Sequence, residues 1–72
     1  MEKIIIDTEN IRLDQFLKWA GITATGGEAK LLINQGLINI NGEVTKERSK
    51  KIVSGDIIKI KDGLKYIISS SS

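Results

Sequence analysis

The apolar positions of this chain change period along its length, and each change marks an element. Ile4-Ile5-Ile6, between Lys3 and Asp7, is a short β-branched run. Such a run predicts a strand buried on both faces. Asp7-Thr8-Glu9-Asn10 follows as a polar turn. From Leu13 the period becomes helical. Leu13, Phe16, Leu17 and Ala20 fall at i, i+3, i+4 and i+7, which predicts a helix over 13–20. Gly21 is placed to stop it in the left-handed conformation, with Ile22 folding back as a hydrophobic contact. Thr25-Gly26-Gly27-Glu28 fits a capping box, with threonine at the N-cap and glutamate at N3. Ala29, Leu32 and Ile33 form the stripe of this second helix, and Gly36 ends it.

The second half reads as strands. Leu37 to Ile40 is one, and Asn41-Gly42 is the strongest hairpin signal in the chain. A type I′ turn needs positive φ at both central residues, which suits this pair. Glu43-Val44-Thr45 returns the chain, and a polar, basic connector runs from Lys46 to Lys51. Ile52-Val53 is a short apolar pair, and Ser54-Gly55-Asp56 a tight turn. Ile57 to Lys61 alternates loosely, Asp62-Gly63 is a second hairpin turn, and Leu64 to Ile68 closes the pattern. The order predicts an α+β fold, with two short helices packed on one face of a small, mostly antiparallel sheet with β-hairpins. Residues 1–68 are expected to form a single domain. Ser69 to Ser72 have no side chain to bury and are expected to be a disordered tail.

Length and composition narrow the chemistry. A chain of 72 residues buries only roughly 60% of its unfolded surface, so its core is thin and a deep cleft has little room. Cysteine and histidine are absent, which removes disulfides, thiol nucleophiles, histidine bases and the usual zinc-ligand sets. No metal and no cofactor is expected. Asp7, Glu9 and Asp14 cluster in sequence, but nothing places a pocket around them, so they read as a solvated acidic edge. Catalysis and a small-molecule substrate are not expected. No apolar stretch approaches the ~20 residues that span a bilayer. The apolar run at the start is too short for a signal peptide. The expectation is a cytoplasmic monomer, with an exposed edge strand as the one route to pairing.

The net charge of +2 is modest, but it is unevenly spread. Lys46, Arg48, Lys50 and Lys51 against Glu47 give residues 46–51 a local +3, which leaves −1 for the rest. Segregation of this kind suggests an anionic partner. The arm has two readings, a solvated loop or a phosphate contact. Thr25 to Lys30 is not a nucleotide-binding phosphate loop, because the first glycine and the closing Lys-Ser/Thr pair are missing. It does offer a helix N-terminus whose two glycines, Gly26 and Gly27, let a phosphate approach the backbone, with Lys30 one turn in. Alternatively, the glycines permit close helix–helix packing. Trp19 lies off the main apolar stripe and is placed either to stack on a base or to cover the isoleucine strand. Leu31 is also off its stripe, and touches the hairpin or marks a partner surface.

Taken in order, Arg12 to Lys18, Gly21-Ile22, Ala29 to Ile33, Gly36-Leu37-Ile38, Asn41-Gly42 and Val53 to Asp56 resemble a known family. It is the RNA-binding domain named after ribosomal small-subunit protein S-four, also called the alpha-L RNA-binding motif. The resemblance covers roughly residues 11–61. Within the family the chain is similar to the short, stand-alone bacterial YaaA-type proteins, which carry Thr-Gly-Gly-x-Ala-Lys where Thr25 to Lys30 stands here. The resemblance implies binding of RNA, either ribosomal RNA on an assembling subunit or a ribosomal particle bearing tRNA, and no catalysis. Many members place a Ser-Arg pair at the start of the second helix. Here Thr25-Gly26-Gly27 keeps the cap and loses the arginine, which implies weaker, more shape-dependent binding. Position by position, the implied RNA face is Arg12, Thr25, Gly26, Gly27 and Lys30, with Lys46, Arg48, Lys50 and Lys51 from the arm. The arm is expected to govern affinity and the helix start to govern placement. The alternative is an adaptor that docks an acidic ribosomal or replication protein, anchored by Leu31 and Trp19.

Overall fold

In the computed structural model, which describes residues 1–61 and 63–71, the isoleucine run forms strand β1, Glu2–Ile6. It is not buried on both faces. Ile6 is buried and Ile4 is half-buried, but Ile5 is 56% exposed. The reason is its place at the edge of a sheet that carries helices on one face only. β2, Asn10–Arg12, follows, and was not legible in a segment this short and polar. Helix α1, Leu13–Trp19, buries Leu13, Phe16 and Leu17 completely, as the spacing predicts. It ends in a Schellman motif: Gly21 at φ +74° donates to the Lys18 carbonyl (3.0 Å), and Ile22 donates to that of Leu17 (2.9 Å). Helix α2, Gly26–Asn34, ends the same way, with Gly36 at φ +73°.

Five further strands complete the fold: β3 (Ile38–Ile40), β4 (Glu43–Val44), β5 (Lys51–Val53), β6 (Ile57–Ile60) and β7 (Lys65–Ser70). Asn41 and Gly42 join β3 to β4 at φ 51° and 92°, the pair of positive angles expected of the type I′ turn. The sheet order is β1-β7-β6-β3-β4, antiparallel except for the parallel β1–β7 pair, and β2 and β5 form a separate antiparallel ribbon. Two helices on a mostly antiparallel sheet is the α+β class predicted.

The tail expectation is corrected for residues 69–71. Ser69 and Ser70 belong to β7 and pair with Ile5 and Ile6 of β1. The Ser71 N–H donates to the Ile6 carbonyl (2.9 Å), and the Ser70 hydroxyl to that of Thr8 (2.8 Å). Serine has little apolar surface to bury, but its backbone and hydroxyl satisfy polar groups of an edge strand. Asp62, half of the second expected hairpin turn, and Ser72 lie outside the described residues.

The core lies between the helices and one face of the sheet. Ile6, Ile38, Ile40, Ile58 and Ile68 from the strands meet Leu13, Phe16, Leu17, Ala29 and Ile33 from the helices, with Ile52 of the ribbon closing one side. Phe16 packs edge-on against Tyr66 at a centroid distance of 6.4 Å. Ile33 is fully buried in this single thin core. Ile33→Ala is therefore expected to cost about 2–4 kcal/mol of unfolding free energy, read from urea denaturation.

Candidate nucleic-acid interface

The two helix starts are built in opposite ways. At α1 the N-cap residue is Arg12, whose side chain makes no capping bond. The first amides instead find acceptors in the arm: Leu13 N–H donates to the Lys50 carbonyl (2.8 Å) and Asp14 N–H to the Arg48 carbonyl (3.1 Å). Gln15 N–H goes to Asp14 Oδ1 (2.9 Å). The start of α1 is thus closed. The arm is not a free loop, because its carbonyls are bonded to this helix end. A turn between Glu47 and Lys50 (N–H to carbonyl, 3.2 Å) shapes it further.

At α2 the start is open. Thr25 caps it through Oγ1, which accepts from Glu28 N–H at 3.1 Å. The reciprocal half of the capping box is displaced by one residue. Glu28 Oε2 accepts from the N–H of Ala24 (3.5 Å), not that of Thr25. Among the described residues, the N–H groups of Gly26 and Gly27 meet no acceptor. A Cβ on Gly26 would touch nothing within 4 Å, and one on Gly27 would meet only the Thr25 hydroxyl at 3.8 Å. Close helix packing therefore does not explain the glycines. Lys30 lies three and four residues on, on the same side of the helix, and is exposed. The arrangement offers two free amides, the positive end of the helix dipole and one ammonium group to an anion.

The nine residues singled out from sequence do not form one patch. Arg12, Arg48, Lys50 and Lys51 gather at the start of α1, where Arg12 and Lys51 are direct partners across the β2–β5 ribbon. Arg12 is held by an ion pair to Asp14 (2.8 Å), while 54% of its side chain stays exposed. Lys46 stands elsewhere. Its Cε would lie 3.5 Å from a Cβ on Gly36, which places it just past the end of α2. Thr25, Gly26, Gly27 and Lys30 sit at the other end of that helix. Its nine residues rise about 13 Å, so the helix start and Lys46 are separate contact points.

The Trp19 question resolves toward the strand. Its indole N–H donates to the Ile5 carbonyl at 2.9 Å, on the free edge of β1, although 51% of the side chain remains exposed. Leu31 is 57% exposed. Sequence reading missed one group, Lys59, Lys61 and Lys65, which line shallow surface hollows with Asn39. They are spread along the chain, and only strand pairing collects them. No helix among the described residues is long and apolar enough to cross a membrane.

Comparison with known proteins agrees with this architecture. The S4 domain family model matches residues 4–69. A probable ribosome maturation protein of Bacillus subtilis, RlbA, is 40% identical over 57 residues, which are 79% of this chain and 80% of that protein. The small ribosomal subunit protein uS4m of Dictyostelium citrinum is 40% identical over 62 residues, 86% of this chain and 19% of that one. A tyrosine–tRNA ligase of Nitrosomonas europaea is 36% identical over 53 residues, 74% of this chain but 13% of the ligase. Among solved structures, the 30S ribosomal protein S4e of Thermoplasma acidophilum superposes with a TM-score of 0.62 at 20% identity, over 85% of this chain and 32% of that one. That likeness shows the fold.

Because Cβ atoms at Gly26 and Gly27 would meet open space, alanine fits both positions. Gly26→Ala/Gly27→Ala is expected to raise stability by up to about 1 kcal/mol per site, read as a higher urea midpoint.

Proposed function

The chain belongs to the S4 domain family, and on that footing we propose that it is a non-catalytic RNA-binding protein that contacts structured ribosomal RNA or an assembling ribosomal subunit. The observation that carries the reading is the open start of α2, with two unclaimed amides and Lys30, on the same molecule as an arm whose backbone is fixed and whose basic side chains are exposed. Amides and point charges of this kind hold phosphates and read shape, not base sequence. The relatives point the same way, since one bears the name of a probable ribosome maturation protein and matches over most of its length. The match to the tyrosine–tRNA ligase covers too little of that enzyme to bring its reaction here. Action as a monomer in the cytoplasm completes the reading.

The arm and the helix start have different parts. Arg48, Lys50 and Lys51 supply charge beside Arg12, and Lys46 adds a contact past the end of α2. Gly26 and Gly27 supply directed donors without net charge. If about four phosphates are neutralised, log K falls against log salt with a slope of about −3 to −4. Lys46→Ala/Arg48→Ala/Lys50→Ala/Lys51→Ala keeps the carbonyls that cap α1, so it is expected to fold. Its slope should shrink by about 1 for each phosphate that it no longer neutralises. Gly26→Ala/Gly27→Ala should weaken binding with the slope unchanged. Both are read by fluorescence titration of labelled ribosomal RNA fragments across a salt series. Salt-insensitive binding, or an arm variant that binds as well as the parent, overturns the reading. Retention of a protein partner after nuclease treatment would instead favour docking at the exposed Leu31.

A further inference from the structure

The sheet has a second face, and among the described residues its charges are all of one sign. Strand residues alternate, so the neighbours of the buried set point away from the helices. Those outward positions are Lys3 and Ile5 on β1, Lys65, Ile67 and Ser69 on β7, Ile57 and Lys59 on β6, Asn39 on β3 and Val44 on β4. Lys61 continues the same side just past β6 and shares a hollow with Lys59, Asn39 and Val44. The four lysines are exposed, and no carboxylate among the described residues pairs with any of them.

Register sharpens this. Lys59 lies directly opposite Lys65, and Asn39 lies opposite Lys59 on its other side. Lys3 is the diagonal neighbour of Lys65, since its own partner is Ile67. Like charges directly opposed across a ladder destabilise a sheet. A face charged only for solubility interleaves both signs. A row of unopposed lysines is better explained by an anion that spans them.

From this we infer that the outer face of the sheet is a second binding surface for RNA backbone, on the opposite side of the sheet from the helices. The protein then holds two RNA segments at once. The class of ligand follows from the residue types. The chain's aromatic residues lie elsewhere: Phe16 and Tyr66 meet in the core, and Trp19 is tied to β1. Single-stranded bases therefore have nothing to stack on at this face, whereas duplex backbone needs only point charges. The inference rests on the proposed RNA-binding function, with the helix side as the first contact.

The test uses the whole chain and an RNA duplex of about 16 base pairs, the span of a shape-reading duplex contact. The ¹⁵N-labelled protein is titrated with duplex, and bridging is read by capture of a free labelled duplex on an immobilised one. Two bound equivalents are expected, with amide shifts at Lys3, Lys59, Lys61 and Lys65 in one of the two steps. Lys59→Gln/Lys61→Gln/Lys65→Gln is expected to bind a single equivalent and to lose bridging. Lys65→Glu replaces a like-charge pair with an opposite-charge pair. It is expected to raise the urea midpoint while also losing bridging, which separates binding from folding. Saturation at one equivalent with the lysine amides unmoved overturns the inference and leaves the helix-side function standing. No duplex binding by the parent removes the proposed function itself, whereas loss of all binding in the triple variant alone would place RNA on the sheet face only and overturn the two-segment inference. Polyglutamate that shifts these amides while duplex RNA does not would assign the face to an acidic protein and overturn the inference.

Discussion

The bonds from Leu13 and Asp14 to the carbonyls of Lys50 and Arg48 hold both the fold and its candidate interface together. A helix of seven residues is marginal by itself, and α1 lacks a side-chain cap. It therefore takes its cap from a segment far along the chain. The effect runs in both directions. The arm's carbonyls are turned inward to the helix, which fixes its backbone while its exposed cationic side chains remain available. The β2–β5 ribbon beside it sets Arg12 against Lys51 in register. A loop that is mobile in isolation becomes a shaped cationic ridge, and the cost of ordering it is met by folding instead of by binding.

Features governed by local chemistry were legible in the sequence. Asn41-Gly42 takes the positive angles its turn demands, and Gly21 and Gly36 end their helices as left-handed stops. The stripe of Leu13, Phe16 and Leu17 is buried as spaced. What the sequence hid was pairing between distant segments. Nothing in Asn10-Ile11-Arg12 announces a strand until Val53-Ile52-Lys51 lies against it. Ser69 and Ser70 look featureless until β1 needs a partner. A run of three isoleucines carries no alternation, so it predicts burial for Ile5 as well. Only the one-sided placing of the helices shows which of the three faces out.

The candidate site divides along the same line. The arm was visible as a contiguous run of charge, and the α2 start as a cap with two glycines. Their arrangement was not visible. A run at 46–51 looks like one patch, yet Lys46 rests beside Gly36 while Arg48 and Lys50 lie over the start of α1. Lys59 and Lys65 are separated by a turn, so no window of sequence reveals that they stand side by side. The register of the sheet holds that information.

Three places in this small domain decline stability that was available. Gly26 and Gly27 stand where alanine would fit and help the helix. Lys59 faces Lys65 where a carboxylate would attract. The arm concentrates positive charge at the start of α1, the helix end that favours negative charge, with Asp14 as the partial remedy through its bond to Arg12. A chain with a thin core has little margin for such choices. All three lie at the surface, with Gly26 half-buried, and each keeps an N–H donor or a positive charge available. A requirement of packing does not account for them, because none of the three positions is in the core. The proposed RNA partner would, since phosphate backbone on the helix side would complete the amides and neutralise the arm, and a second segment on the outer face would relieve the lysine pair.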